Sequence, residues 1–251
     1  MFKQARVNID MPKSRYSDIY QDLKNKIETG EYEFQELLPS EHQLIEHYDC
    51  SRNTIRRAIG NLVTDGYVQT MQGKGVRNIY QPTQQNSFAI GNIESFRESA
   101  LRNGKKPKTR VIYLTELVAD KNIARRTGFE PGSNLYYLQR VHYLDNKALI
   151  LNHNYFLKDL VPNLTKEIAE SSIYDYIENT LNMSIITSKR VFTVEKMTEI
   201  DEKYLELGDY NCLAVVTSQT YNSDGIMFEY TQSRHRPDYF SFQDNATRRV
   251  R

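Results

Sequence analysis

The sequence predicts an α+β protein in two parts: a small helical module closed by a two-stranded ribbon, then a larger antiparallel α+β domain. Three observations lead there. Residues 38–77 hold two capped helix patterns, a short turn and a glycine-rich ribbon. Residues 78–91 (NIYQPTQQNSFAIG) are polar, contain Pro82 and lack helical period, the composition of a connection. From about residue 92, strands and short helices mix without regular alternation, which favours an antiparallel sheet over a doubly wound one.

Within the helical module, Tyr16, Ile19, Tyr20, Leu23 and Ile27 mark a first amphipathic helix that Gly30 closes. Pro39 and Ser40 open a second. Ser40 and Gln43 have the spacing of a reciprocal capping box, and Leu44, Ile45 and Tyr48 form its apolar face. Asp49-Cys50 is the turn, and Ser51 can cap a third helix. There Ile55, Ala58, Ile59, Leu62 and Val63 follow i, i+3, i+4, i+7, i+8, a helical stripe. Gly66, after Asp65, permits the left-handed conformation of a helix end. Tyr67–Met71 is strand-like, and Gln72-Gly73-Lys74-Gly75 is a turn.

In the second part, residues 93–104 form a short helix ending at Gly104, and Lys108–Val118 a strand. Residues 120–128 form a helix that Gly128 stops. LYYLQRVHYL, Asp145-Asn146 and ALILNHNYF read as a hairpin around a turn pair able to take positive φ. Residues 172–182 form a helix capped by Ser172. A strand (SIITSKRVFTVEKM), a short helix (IDEKYLELG) and a second long hairpin with its turn at Asn222–Gly225 complete the domain.

Composition narrows the function. The chain has 251 residues, 26% charged and 39% hydrophobic, as expected of one large or two ordinary soluble domains. No apolar run approaches the ~20 residues of a membrane span, and residues 1–12 lack the core of a secretory signal. Cys50 and Cys212 have no metal-type spacing and fit free thiols in a reducing cytoplasm. No cofactor or metal site is expected. Net charge is only +1, yet residues 50–80 carry five basic residues against Asp65 alone. Charge placed in this way favours a local groove contact with double-stranded DNA over non-specific wrapping.

The polar side of the third helix carries Arg52, Asn53, Arg56 and Arg57. Arginine can reach guanine edges or phosphates, asparagine can bond adenine, and a helix N-terminus favours phosphate. A solvated cationic face is the bland alternative. The capped preceding helix, short turn and Gly-Lys-Gly ribbon weigh against it.

In the second domain Arg140 and His142 share one face of a strand, as do Asn152 and Asn154 on its partner. Glu229, Thr231 and Ser233 share one face; Tyr230, Arg234 and Arg236 share the other. Ser95 and Arg97 flank Phe96. Arginine forks bind phosphate oxygens, Glu and Asn serve hydroxyls, and aromatic rings stack on sugars, so a phosphorylated sugar would suit this set. The bland alternative is a half-exposed polar sheet.

LPSEHQL, SRNTIRRAI, L-x-x-D-G-Y and QGKG, in that order, resemble the winged helix-turn-helix of the GntR family of bacterial transcription regulators, over residues 13–80. The resemblance implies DNA contacts from Ser40, His42, Ser51, Arg52, Asn53, Thr54, Arg56, Arg57 and the wing residues Gln72, Gly73 and Lys74. His42 stands where the family often has Arg, Asn53 where Thr is usual. ESFRE, RVHYLDN, NHNYF, SSIYDYIE and FEYTQSRHRPDYFSF resemble the effector domain of the family's HutC-type branch, with a chorismate-lyase-like fold, over about residues 85–245. This implies a homodimeric repressor released from its operator by a phosphorylated sugar, with trehalose 6-phosphate the expected effector and an amino-sugar 6-phosphate the alternative.

By the same resemblance Ser95, Phe96, Arg97, Arg140 and His142 would hold the phosphate end. Tyr155, Tyr174, Glu229, Tyr230 and Arg234 would line the sugar end, and Asn154, Ser172 and Arg236 complete the expected effector-binding set. His142 stands where related domains often carry Arg, and a charged His142 would weaken binding as pH rises above its pKa. Tyr174 could instead be core, beside Ile173, Tyr176 and Ile177.

No Ser-His-Asp order, paired CxxC, HExxH or phosphate-cradling glycine loop appears, so no catalytic residue is expected. Fusion to a DNA-reading module favours a sensor over a lyase. The expected division is an arm (1–12), the DNA-binding domain (13–80), a linker (81–91), the effector and dimerisation domain (92–245) and a tail (246–251).

Overall fold

The computed structural model describes residues 15–82, 89–90 and 93–242. The expected arm 1–12, the tail 246–251 and part of the linker lie outside them. The described residues divide into two compact units, 15–82, and 89–90 with 93–242.

The first unit is a three-helix core with a β ribbon. Helix α1 (Arg15–Glu28) buries Ile19, Leu23 and Ile27. Ser40 caps α2 (Glu41–Tyr48) and completes the capping box with Gln43 in both directions. Asp49 takes φ 44°, and this left-handed residue turns the chain within two positions. Ser51 Oγ then accepts from Thr54 N, starting α3 (Arg52–Thr64). Its stripe of Ile55, Ala58, Ile59 and Leu62 is buried against Leu23, Ile27 and Leu44. Burying each such aliphatic side chain is worth roughly 1.5–3 kcal/mol. Carboxylates receive three tyrosine hydroxyls around this core: Tyr20 to Asp65, Tyr48 to Asp22, Tyr67 to Glu28. Strands β1 (Val68–Met71) and β2 (Gly75–Asn78) pair antiparallel. Buried Asn78 anchors the ribbon by donating to the carbonyls of Tyr32 and Glu33.

The second unit is a six-stranded antiparallel sheet in the order β4-β5-β6-β9-β8-β7. The strands are β4 (Pro107–Val118), β5 (Asn134–Leu144), β6 (Lys147–Leu157), β7 (Ile185–Lys196), β8 (Cys212–Asn222) and β9 (Met227–His235). Both hairpins form where the turn chemistry places them. Asp145 and Asn146 both take positive φ, 50° and 69°. One sheet face is packed by α4 (Phe96–Arg102), α6 (Lys166–Glu170) and α7 (Ile173–Asp175), the last continuing into a π-turn (Tyr176–Thr180). The other face is packed by α5 (Lys121–Thr127) and α8 (Glu199–Tyr204).

Four features depart from the expected map. The helix expected over 172–182 tightens to α7 and then widens to the π-turn. Helix α6 forms where no helix was expected. Two-residue strands β3 (Ala89–Ile90) and β10 (Ser241–Phe242) pair in parallel. Strand β3 therefore falls inside the stretch 81–91 read as linker.

Candidate functional site

The two units carry different surfaces. On α3, Arg52, Asn53, Arg56 and Arg57 are all exposed, because the buried stripe occupies the opposite side. The arginines are not equivalent. Glu41, in the first turn of α2, lies 2.6 Å from Arg52 Nε and 3.1 Å from Arg56 Nε. One carboxylate thus orients two guanidinium groups along the start of α3. The Arg57 guanidinium instead lies 3.8 Å from the ring centre of Tyr16, a cation–π contact that ties α3 to α1. His42 faces solvent 3.5 Å from Glu46. Ser40 and Ser51 serve as helix caps, and Thr54 Oγ1 sits 2.8 Å from Ser51 Oγ. Gln72, Gly73 and Lys74 form the exposed ribbon tip. A Cβ on Gly73 would meet nothing within 4 Å, but its φ of 71° disfavours other residues.

In the second unit a cavity opens between the sheet and the segments around α4 and α7, and encloses about 1040 Å³ including its mouth. Strand pairing sets its floor as rows across the sheet. His142, Ile150 and His235 form one row; Arg140, Asn152 and Ser233 the next; then Leu138, Asn154 and Thr231; then Phe156 beside Glu229.

A hydrogen-bonded chain crosses these rows. Arg140 Nε donates to Asn154 Oδ1 (3.0 Å) and Asn154 Nδ2 to Thr231 Oγ1 (2.6 Å). Thr231 and Tyr174 hydroxyls donate to the two oxygens of Glu229, each at 2.7 Å. Every member but Arg140 and Tyr174 is fully buried, where an unpaired polar group is costly. Burial lowers the Arg140 guanidinium to about 10, with Glu229 opposing, so it stays charged at neutral pH. Burial and the Glu229 carboxylate raise the Tyr174 phenol.

Of the residues expected at the effector, Ser95, Phe96, Arg97, Arg140, His142, Asn154, Ser172, Tyr174 and Glu229 line this cavity. Ser95 and Ser172 cap α4 and α7 as well. Tyr174 lines the cavity and also packs against the core cluster that holds Ile173 and Ile177.

Four expected residues do not belong there. Tyr155, Tyr230 and Arg234 point to the opposite sheet face, because side chains alternate along a strand. They border a separate cavity with Arg126, Tyr137 and His153. Arg234 is also committed to buried Asp201 (2.9 Å) and to Glu195 (2.5 Å). Arg236 pairs with Asp238 at 2.7 Å and lines neither cavity.

His142 lines the cavity with a neutral ring rather than a charged one. Its Nδ1 is 2.9 Å from Thr109 Oγ1 and its ring lies 4.2 Å from Phe96. Burial, then the nearby Arg140 charge, holds its pKa well below the usual value, so the ring is neutral near pH 7. Ser188 and Arg190 on β7, Asn152, and His235 also line the cavity. Arg190 had no legible signal, because the neighbours of β7 are fixed by non-local pairing.

A capped DNA-facing helix with a ribbon, followed by a separate polar ligand cavity, defines a ligand-responsive DNA-binding regulator. Residues 15–77 match the bacterial regulatory proteins of the gntR family, and residues 102–241 match the UTRA domain. The chain belongs to the GntR family, in its UTRA-bearing, HutC-type branch. It is 35% identical to the HTH-type transcriptional regulator TreR of Bacillus subtilis, across 95% of this chain and 99% of that one. It is 26% identical to the HTH-type transcriptional repressor NagR of the same organism, across 94% and 96%.

Among solved structures, the B. subtilis trehalose repressor (TreR) effector binding domain matches at 34% identity and TM-score 0.52, covering 57% of this chain and 99% of that one. The possible transcriptional regulator YydK of B. subtilis shares the fold at TM-score 0.78 and 21% identity, covering 94% and 100%. These relatives are named as regulators, which makes the chain a regulator and not an enzyme. Among the described residues no helix is long and apolar enough to cross a membrane.

Proposed function

We propose that this chain is a homodimeric repressor of a sugar-utilisation operon, released from its operator by trehalose 6-phosphate. The observation that carries the ligand class is the buried chain from Arg140 through Asn154 and Thr231 to Glu229 and Tyr174. It sets a fixed cation in the cavity and, two rows away across the sheet, a hydrogen-bonded carboxylate. A phosphate would sit at Arg140 beside Arg97, with sugar hydroxyls along Asn154, Ser172 and Glu229. The resemblance to TreR supports trehalose 6-phosphate within that class. An amino-sugar 6-phosphate is the second reading, since an ammonium could meet Glu229. That carboxylate already accepts two hydroxyls, which favours a neutral sugar.

On the DNA side, two copies would place Arg52, Asn53 and Arg56 of α3 in successive major grooves of a palindromic operator, with Gly73 and Lys74 at the wing tip. Half-sites would lie about one helical turn, or a multiple of it, apart. The effector must bind the DNA-incompetent arrangement more tightly, or it shifts nothing.

Thermal shift with trehalose 6-phosphate, glucosamine 6-phosphate, N-acetylglucosamine 6-phosphate and free trehalose tests the ligand. Trehalose 6-phosphate should raise the melting temperature most. A larger shift with either amino-sugar ester would reassign the effector. The neutral state of His142 also sets the pH dependence. No imidazolium is lost as pH rises from 6 to 8, whereas the phosphoester, with its second pKa of about 6, gains charge. Affinity by calorimetry should therefore hold or rise by about twofold over that range. A several-fold fall would place a charged histidine on the phosphate.

A further inference from the structure

One row beyond Arg140, the cavity floor changes character. His142 and His235 flank Ile150 of β6, and Asn152 lies one row away on the same strand. All three are buried, with 1%, 4% and 8% of their surfaces exposed. All three line the cavity. His142 Nε2, Asn152 Oδ1 and both ring nitrogens of His235 are buried without a hydrogen-bond partner among the described residues. Phe96 covers one face of His142, and the Phe240 ring lies 5.2 Å from His235. Buried polar atoms are nearly always paired, so four unpaired ones around one opening mark a place that a polar partner, ordered water or a ligand hydroxyl, must fill.

Their chemistry limits what it is. Neutral imidazole has one donor and one acceptor nitrogen, and an amide oxygen only accepts. A phosphate dianion offers acceptors alone: it could take the imidazole N–H groups, but the bare ring nitrogen of His235 and the Asn152 amide oxygen would face it with lone pairs. A hydroxyl donates and accepts, and satisfies both. Burial holds His235 at about 3, so its own ring brings no positive charge to offset that mismatch.

We propose that His235, with Asn152 and the free nitrogen of His142, forms a neutral subsite that reads hydroxyl groups of the effector's sugar, next to the charged row at Arg140. This rests on the sugar-phosphate reading above. It assigns His142 to the polyol rather than to the phosphate.

The test compares the full-length protein with His235→Phe and His235→Gln. Calorimetry measures trehalose 6-phosphate, and thermal shift at millimolar concentration measures inorganic phosphate. His235→Phe should weaken trehalose 6-phosphate by about tenfold or more, the expected cost of unmaking a buried hydrogen-bond pair, and leave the phosphate response within about twofold. His235→Gln, which keeps a donor and an acceptor, should recover part of the loss. Unchanged sugar-phosphate affinity in His235→Phe would overturn the subsite while leaving the effector class intact. Equal loss of both ligands in both variants would make His235 a structural or phosphate residue and overturn it as well. If the unmodified protein binds no phosphosugar, the effector reading falls first and the subsite with it.

Discussion

Replacing Arg52 or Arg56 with alanine should abolish operator-specific binding while leaving effector affinity unchanged. Both guanidinium side chains are largely exposed, at 67% and 63%. Each lies on the side of α3 opposite the buried stripe, so truncation opens no cavity. Alanine is also a strong helix former, and the fold should persist. A well-placed arginine–guanine contact is worth about 1–3 kcal/mol of discrimination. A dimer loses it twice, so one substitution removes about 2–6 kcal/mol, enough to bring operator binding to the non-specific level. Arg57→Ala is the instructive contrast. It also removes the contact with Tyr16 that packs α3 on α1, and should lower the melting temperature as well. Fluorescence anisotropy with an operator fragment, alongside thermal shift with trehalose 6-phosphate, separates these outcomes. Equal loss of DNA and effector binding in Arg52→Ala would mean misfolding or a wrong assignment of the helix.

The DNA-facing unit was legible because its determinants are local. Ser40 with Gln43, Ser51 with Thr54, and the i, i+3, i+4 stripe all act within one or two turns of helix. Asp145-Asn146 was readable for the same reason, since a two-residue turn declares its own backbone. What escaped was short or non-local. Helix α6 has five residues, too few to show a period, and β3 with β10 pair two residues each across the whole second unit.

The cavity shows the same divide. The period of two along β9 already separates Glu229, Thr231 and Ser233 from Tyr230 and Arg234. Carrying a family's residue set onto the chain merged those faces, and the structure separates them again. Arg190 and Ser188 were invisible, because nothing within β7 says that it borders β8. The split among the arginines was equally hidden. Glu41 lies eleven residues before Arg52, and its contact depends on the angle between two helices.

Arg140→Ala is the matching experiment on the effector side. It should leave operator binding intact and remove release by the effector. Arg140 belongs to the second unit, and among the described residues its Nε and Nη1 engage Asn154 Oδ1 and the carbonyl of Ala169 (3.3 Å). In the cavity its loss acts twice: the anion loses a charge-assisted fork, and Asn154 Oδ1 loses its donor. A hydrogen bond to a charged group contributes about 1.5–3 kcal/mol, so effector affinity should fall about 10- to 150-fold.

Coupling between sites is itself typically about 1–3 kcal/mol. A loss of that size leaves effector concentrations that clear the operator from the unmodified protein unable to clear it from the variant. Arg140→Lys separates charge from geometry. It keeps the cation but not the planar fork that reaches Asn154, and should recover affinity only partly. Operator anisotropy titrated with trehalose 6-phosphate reads all three proteins. Normal release from Arg140→Ala would remove this arginine from the effector site. Loss of operator binding without any effector would show that the two units depend on each other for folding.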